Sequence, residues 1–208
     1  MSIKTRKIKL IPVGETSSDR TKVYQYIKGV AGSLAEVGNR IIRLHVNNLY
    51  ELEDLVNDKN LTKKDATGLL TERLGTSLQN SGYRLTTTYT NISSEIRTGF
   101  NQAIFGVLRN NFYDIKNGKM SIPSFRKTNI NIPFSAARSE TGGTKAIYIE
   151  DERYYMNFPL TVEERKIHKG ITLNLFFGKD RSNNRIIVDR LISGEYHMCD
   201  SSIQVKDN

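Results

Sequence analysis

The chain has 208 residues, 31 Lys plus Arg against 22 Asp plus Glu, a formal net charge of +9, a pI of about 9.6 and 38% hydrophobic residues. This length and apolar content support a folded core in one large or two small domains, and the positive excess favours a polyanionic partner, nucleic acid ahead of a membrane surface. One cysteine, Cys199, excludes an internal disulfide and a multi-cysteine zinc site. The three histidines, His45, His168 and His197, are dispersed, and no apolar run resembles a membrane span or a secretory leader. A cytoplasmic protein without metal or cofactor is expected.

Residues 3–13 read as a strand, with Ile8 and Leu10 alternating against Lys7 and Lys9 and with Pro12 and Gly14 closing the run. Ser17, Ser18 and Asp19 then offer helix caps. Behind them Val23, Ile27, Val30, Leu34, Val37, Ile41 and Leu44 recur in steps of four and three, predicting a long helix with a narrow apolar seam. Gly29, Gly32 and Gly38 weaken that helix but admit a close neighbour. Thr62 and Asp65 form a variant capping box before a second helix through Ala66, Leu69, Leu70, Leu74 and Leu78, ending near Gly82. A third helix starts near Asn91, turns Ile92, Ile96, Phe100, Ile104, Val107, Leu108 and Ile115 inward, and stops at Asn117-Gly118.

Past Gly118 the apolar period changes to two. Ile147 and Ile149, then Tyr154, Met156 and Phe158, then Ile171, Leu173, Leu175 and Phe177, then Ile186 and Val188, and last Ile203 and Val205 mark strands. Gly142-Gly143, Lys169-Gly170 and Ser182-Asn183-Asn184 are the turns between them. Cys199 falls in this pattern as a half-buried strand residue. The fold class is α+β: a small barrel or sandwich, with the first strand pairing with the later ones and the helices inserted between.

Two stretches, Ser121-Ile-Pro-Ser-Phe-Arg-Lys127 and Asp189-Arg-Leu-Ile-Ser-Gly-Glu-Tyr196, resemble segments in the N-terminal half of the miniature type V-F CRISPR nucleases and, more loosely, of the TnpB proteins. The order of basic strand, helical insertion and these two motifs is similar to the family's wedge and recognition domains. The resemblance implies an oligonucleotide-fold-like wedge barrel with an inserted helical recognition domain: residues 1–14 as the first wedge strand, 15–118 as the recognition domain and 119–208 as the rest of the wedge. It also implies guide RNA and target DNA as partners, with protein reading a short duplex motif while guide pairing supplies sequence. In the family the catalytic RuvC domain begins just beyond the second motif, so this chain is expected to be nuclease-deficient, with no catalytic residue.

The acidic groups Glu150-Asp151-Glu152, Glu163-Glu164, and Glu51, Glu53 and Asp54 read as solvated surface. Neither a phosphate-binding glycine loop nor a nucleophile elbow is present. Two other functions stand beside the leading one. The first is an inhibitory or regulatory protein that sequesters guide RNA or pairs with a full-length effector or a separate nuclease chain. The second is a general single-strand binder.

Candidate nucleic-acid contacts fall in four groups. Lys4, Arg6, Lys7 and Lys9 form a basic strand, against the alternative of lysines that guard a sheet edge. Lys119, Phe125, Arg126 and Lys127 surround Pro123, with the aromatic ring available for stacking, or else buried. Tyr83, Arg84, Tyr89 and Arg97 gather at a helix junction, where tyrosines also simply bridge core and solvent. Arg138 and Lys145 flank the glycine turn. Val23, Ile27, Val30 and Leu34 are candidate residues for a homodimer interface, against intramolecular packing.

Overall fold

The computed structural model describes residues 6–51, 89, 91–126, 130–134, 147–168, 170–196 and 201–206. The helix expected between Thr62 and Gly82, the Gly142-Gly143 turn and Cys199 lie outside the described residues.

Helix α1, Ser17–Glu51, opens on a reciprocal cap. The Asp19 N–H donates to Thr16 Oγ1 at 3.1 Å, while the Thr16 N–H and hydroxyl donate to Asp19 Oδ2 at 3.1 and 2.6 Å. The cap is therefore Thr16, ahead of the serines, with the shorter Asp19 in the place a glutamate takes in a capping box. These bonds hold the Asp19 carboxyl below its usual range. The apolar face of α1 is wider than a two-position seam: Ile27, Val30, Ala31, Leu34, Ala35, Val37, Ile41 and Ile42 are at most 5% exposed. Such a stripe faces several elements at once rather than a single parallel helix. Of Leu44 only the backbone is described.

Helix α2, Ser94–Lys116, follows the predicted periodicity. Ile92, Ile96, Phe100, Ile104 and Leu108 are buried at steps of four, whereas Val107 faces outward at 37% exposure. Gly118 ends the helix at φ 68°; its N–H donates to Ile115 O at 3.2 Å, and the Lys119 N–H donates to Asp114 O at 2.8 Å. This pair of bonds satisfies the last carbonyls and needs the left-handed residue that glycine supplies.

Among the described residues, six short strands precede or follow these helices. Strand β1 is Lys9–Pro12, β2 Asn131–Phe134, β3 Ile147–Glu150, β4 Arg153–Asn157, β5 Thr172–Phe176 and β6 Ser201–Gln204. Two short helices lie among them, α3 (Val162–His168) between β4 and β5 and α4 (Asn184–Ile192) between β5 and β6. Strand β1 pairs antiparallel with β5, Lys9 opposite Phe176, so the N-terminal strand does join the later ones across the helices. Strands β3 and β4 form a hairpin whose turn residues Asp151 and Glu152 have φ 46° and 60°, the double left-handed turn that suits the right-handed twist of a tight hairpin.

Among the described residues the sheet does not close into a barrel. The described strands divide into a four-stranded sheet, β1-β5-β4-β3, and a separate pair, β2-β6. The segment expected to carry a strand through Ile186 and Val188 is α4 instead. Asp180 accepts the N–H groups of Asn184 at 2.7 Å and Arg185 at 3.0 Å, and Asn183 turns the chain at φ 55°. Val188 is buried while Ile186 is 51% exposed, so the inward set runs Ile187, Val188, Leu191, Ile192, a helical spacing. Conversely β2 is a strand in a segment to which the alternation assigned none, and it contains Pro133. Its place in a two-stranded ribbon asks little of that missing donor, and Pro133 instead packs against Gly99, where an added Cβ would come within 2.8 Å. One apolar cluster joins α1, α2, both sheets and α4.

Candidate nucleic-acid interface

Of the four-stranded sheet, one face belongs to the core. Leu173 and Leu175 of β5 and Met156 of β4 are buried there, with Tyr154 half-buried beside them, and α4 covers its flank. The Tyr154 hydroxyl donates to Asp189 Oδ1 at 2.7 Å, and the Arg185 guanidinium lies 5.7 Å from the ring centroids of both Tyr154 and Phe177. Burial, and then that hydrogen bond to a carboxylate, push the Tyr154 phenol up. Asp189, the first residue of the second motif, thus fastens α4 to β4.

The rest of that motif is a helix stop. Arg190 donates to the Tyr196 hydroxyl at 2.6 Å, lies 5.3 Å from its ring centroid and pairs with Glu195 at 3.5 Å, while Gly194 takes φ 81°. The hydrogen bond to the Tyr196 hydroxyl, and then the negative charge of Glu195, raise the Arg190 pKa.

By alternation along the strands, the opposite face of the sheet carries Tyr148, Glu150, Arg153, Tyr155, Asn157, Thr172, Asn174, Phe176, Lys9 and Ile11, with Glu150 opposite Arg153. Register sets Tyr148 opposite Tyr155, Tyr155 opposite Asn174, and Asn174 opposite Ile11. The Tyr148 and Tyr155 rings lie 5.7 Å apart at 32°, and Phe176, opposite Lys9, is 49% exposed. A cleft of about 510 Å³ is bounded by residues 11–14, 152–155 and 174–178, with Arg20 and Arg185. Arg153 and Arg20 are cationic walls of this cleft, and Glu152 is an acidic one.

The sequence-predicted residues divide accordingly. Lys9 opens β1, and Arg6 and Lys7 precede it, all three exposed. Lys4, Tyr83, Arg84, Lys127, Arg138 and Lys145 lie outside the described residues. Lys119 and Arg126 are exposed. Phe125 is not free to stack on a base: its ring packs on Phe100 at 5.1 Å and against Gly38, and its backbone is clamped to α1. The Phe125 N–H donates to Asn39 Oδ1 at 2.8 Å, and Asn39 Nδ2 donates to Phe125 O at 2.9 Å. The described part of the first motif, residues 121–126, is therefore a loop pinned to the middle of α1, and Arg126 sits on a different element from the cations of β1.

Tyr89 is half-buried against the core and hydrogen-bonded to Glu36; burial, then that carboxylate, raise its pKa. It bridges core and solvent. Arg97 is half-buried in the first turn of α2. The candidate dimer residues Ile27, Val30 and Leu34 are 5% exposed or less and Val23 packs against the same core, so the chain's own elements already cover them.

Tyr148, Arg153, Tyr155, Asn174 and Phe176 were missed. For Tyr148, Tyr155, Asn174 and Phe176 the signal was present, since each occupies the position between two inward residues of a strand that the alternation had already defined; Arg153 precedes the first inward residue of its strand.

Among the described residues there is no group of three or more His, Cys, Asp or Glu that could hold a metal ion, and no helix long and apolar enough to cross a membrane. No protein-family model and no curated protein match the chain. Among solved structures, a chain in "Cryo-EM structure of CRISPR-Cas12f Ternary Complex" superposes with a TM-score of 0.52 at 14% identity, over 91% of this chain and 38% of that one. The chain thus has a Cas12f-like fold and spans about two fifths of the length of the protein it resembles.

Proposed function

We propose that this chain is a nucleic-acid-binding module of an RNA-guided system: it holds guide RNA and contributes to reading a short target-DNA motif. The observation that carries this reading is the likeness of 91% of the chain to part of a protein solved in a CRISPR-Cas12f ternary complex. The net charge of +9 supports it, because a cationic module gains affinity for polyphosphate by releasing counterions.

In this reading residues 1–14 are the first wedge strand, residues 15–118 the recognition domain and residues 119–208 the rest of the wedge. The pairing of β1 with β5 across the intervening helices supports that division. Arg6, Lys7 and Lys9 grip the RNA backbone, with Arg126 as a second point of contact. Cleavage is assigned no residue in this chain.

Fluorescence anisotropy with a structured guide-scaffold RNA and a random RNA of equal length tests the proposal. The scaffold binds more tightly, and neutralising Arg6, Lys7, Lys9 and Arg126 together weakens it by about tenfold or more at moderate salt. Equal affinity for both RNAs, or an unaffected quadruple variant, sinks the reading. Metal-dependent cleavage by the purified chain would remove its non-catalytic part.

A further inference from the structure

Between β1 and β3 the sheet presents Phe176, Tyr155 and Tyr148 on the face away from the core, Phe176 exposed and the two tyrosines half-buried. Their rows are set by register: Lys9 beside Phe176, then Ile11, Asn174, Tyr155 and Tyr148 in line across four strands. Neighbouring strands lie about 4.8 Å apart and same-face residues about 6.8 Å apart along a strand, so the rings form a stepped platform. Phe176, at the Lys9 end of this platform, is 49% exposed.

From this placement we infer that the outer face of the four-stranded sheet is a stacking platform for an unpaired stretch of RNA, with Phe176 and Tyr155 as its principal supports. The inference rests on the nucleic-acid reading above and specifies the strand state of the ligand. Charge selects the occupant: Lys9 and Arg153 stand on this face and Lys7 just precedes β1, in a chain of net charge +9, while Glu150 stands directly opposite Arg153 on the same face and Glu152 lies in the hairpin turn. A duplex buries its base faces and offers nothing for these rings. Unpaired bases expose them, and the amide of Asn174 lies in the same row to meet a base edge or a 2′-hydroxyl.

The chain contains no tryptophan, so Phe176→Trp gives a single fluorescent reporter on the platform. Titrating this variant with a twelve-nucleotide oligouridylate should quench the indole, and a fully paired hairpin RNA should quench it far less. Tyr155→Ala with Phe176→Ala should weaken oligouridylate binding about tenfold or more. Tyr155→Phe, which keeps the ring, should bind like the parent and shows that loss does not come from misfolding.

Oligouridylate binding without quenching, or with unchanged affinity in the double alanine variant, overturns the platform while leaving the cationic surface intact. Equal quenching by the paired hairpin also overturns it. Failure to bind either RNA overturns the nucleic-acid reading itself and the platform with it.

Discussion

Gly38 and Asn39 show how two neighbouring residues organise a loop that is more than eighty positions away in sequence. A Cβ at Gly38 would lie 2.7 Å from Phe125 Cδ2 and 2.8 Å from Phe100 Cζ, whereas one at Gly29 meets nothing within 4 Å. The two glycines of one helix therefore respond in opposite directions. Gly38→Ala forces two aromatic rings apart and should cost about 1–3 kcal/mol, as overpacking does. Gly29→Ala relieves helix entropy and should gain roughly 0.5–1 kcal/mol. Urea unfolding of both variants checks the pair, and equal shifts would mean that the ring contacts at Gly38 do not constrain the helix. Asn39→Ala leaves the amide and carbonyl of Phe125 without their side-chain partners and should cost about 1–3 kcal/mol in the same assay. The sequence placed Gly38 in the helix and allowed a close neighbour there. It held no sign that the neighbour would be Phe125, because contacts across 86 residues leave no local period.

At the element scale, legibility followed the length of each apolar pattern. The steps of four that begin at Ile92, just before α2, and run on through four buried residues of the helix survive, while Ile186 and Val188 supply only two positions, too few to separate a strand from one turn of α4. Asp180 decided the matter from outside the pattern by accepting two amide protons at the start of α4. The join between α1 and the chain that follows β4 is a different kind of contact, and it titrates. Tyr26 stands edge-on to Phe158 with centroids 6.2 Å apart, and burial, then the negative charge of Glu164, push its phenol well above the ordinary value of 10.0. A raised folded pKa means that the stability this ring contributes is fully present below pH 10 and is lost as pH rises through the folded value. Tyr26→Phe keeps the ring contact and cannot ionise in either state. Its urea midpoint should fall less steeply above pH 10 than that of the parent; parallel curves would remove Tyr26 from the alkaline response.

Over the whole molecule, one apolar cluster forces the four-stranded sheet to spend one face on α1 and α4, and that division of labour exposes the other face with its cations and rings. Composition alone announced the charge, but not its location. The basic residues of the first strand were legible because lysine alternates with apolar positions there. Arg153 was not, since only the hairpin register brings it to the same face as Lys9. If this face and the approach to β1 hold RNA phosphates, the apparent affinity must fall with salt in proportion to the phosphates neutralised, by a log–log slope of about 0.7 for each contact with a single strand. Removing Lys7, Lys9 and Arg153 together should therefore flatten the slope for oligouridylate by roughly 2, whereas Tyr155→Ala should lower affinity at every salt concentration and leave the slope unchanged. Binding isotherms over a potassium chloride series separate the two. A slope unaltered by the triple substitution would detach these cations from the RNA, and a slope altered by Tyr155→Ala would show that the ring acts by positioning charge instead of by stacking.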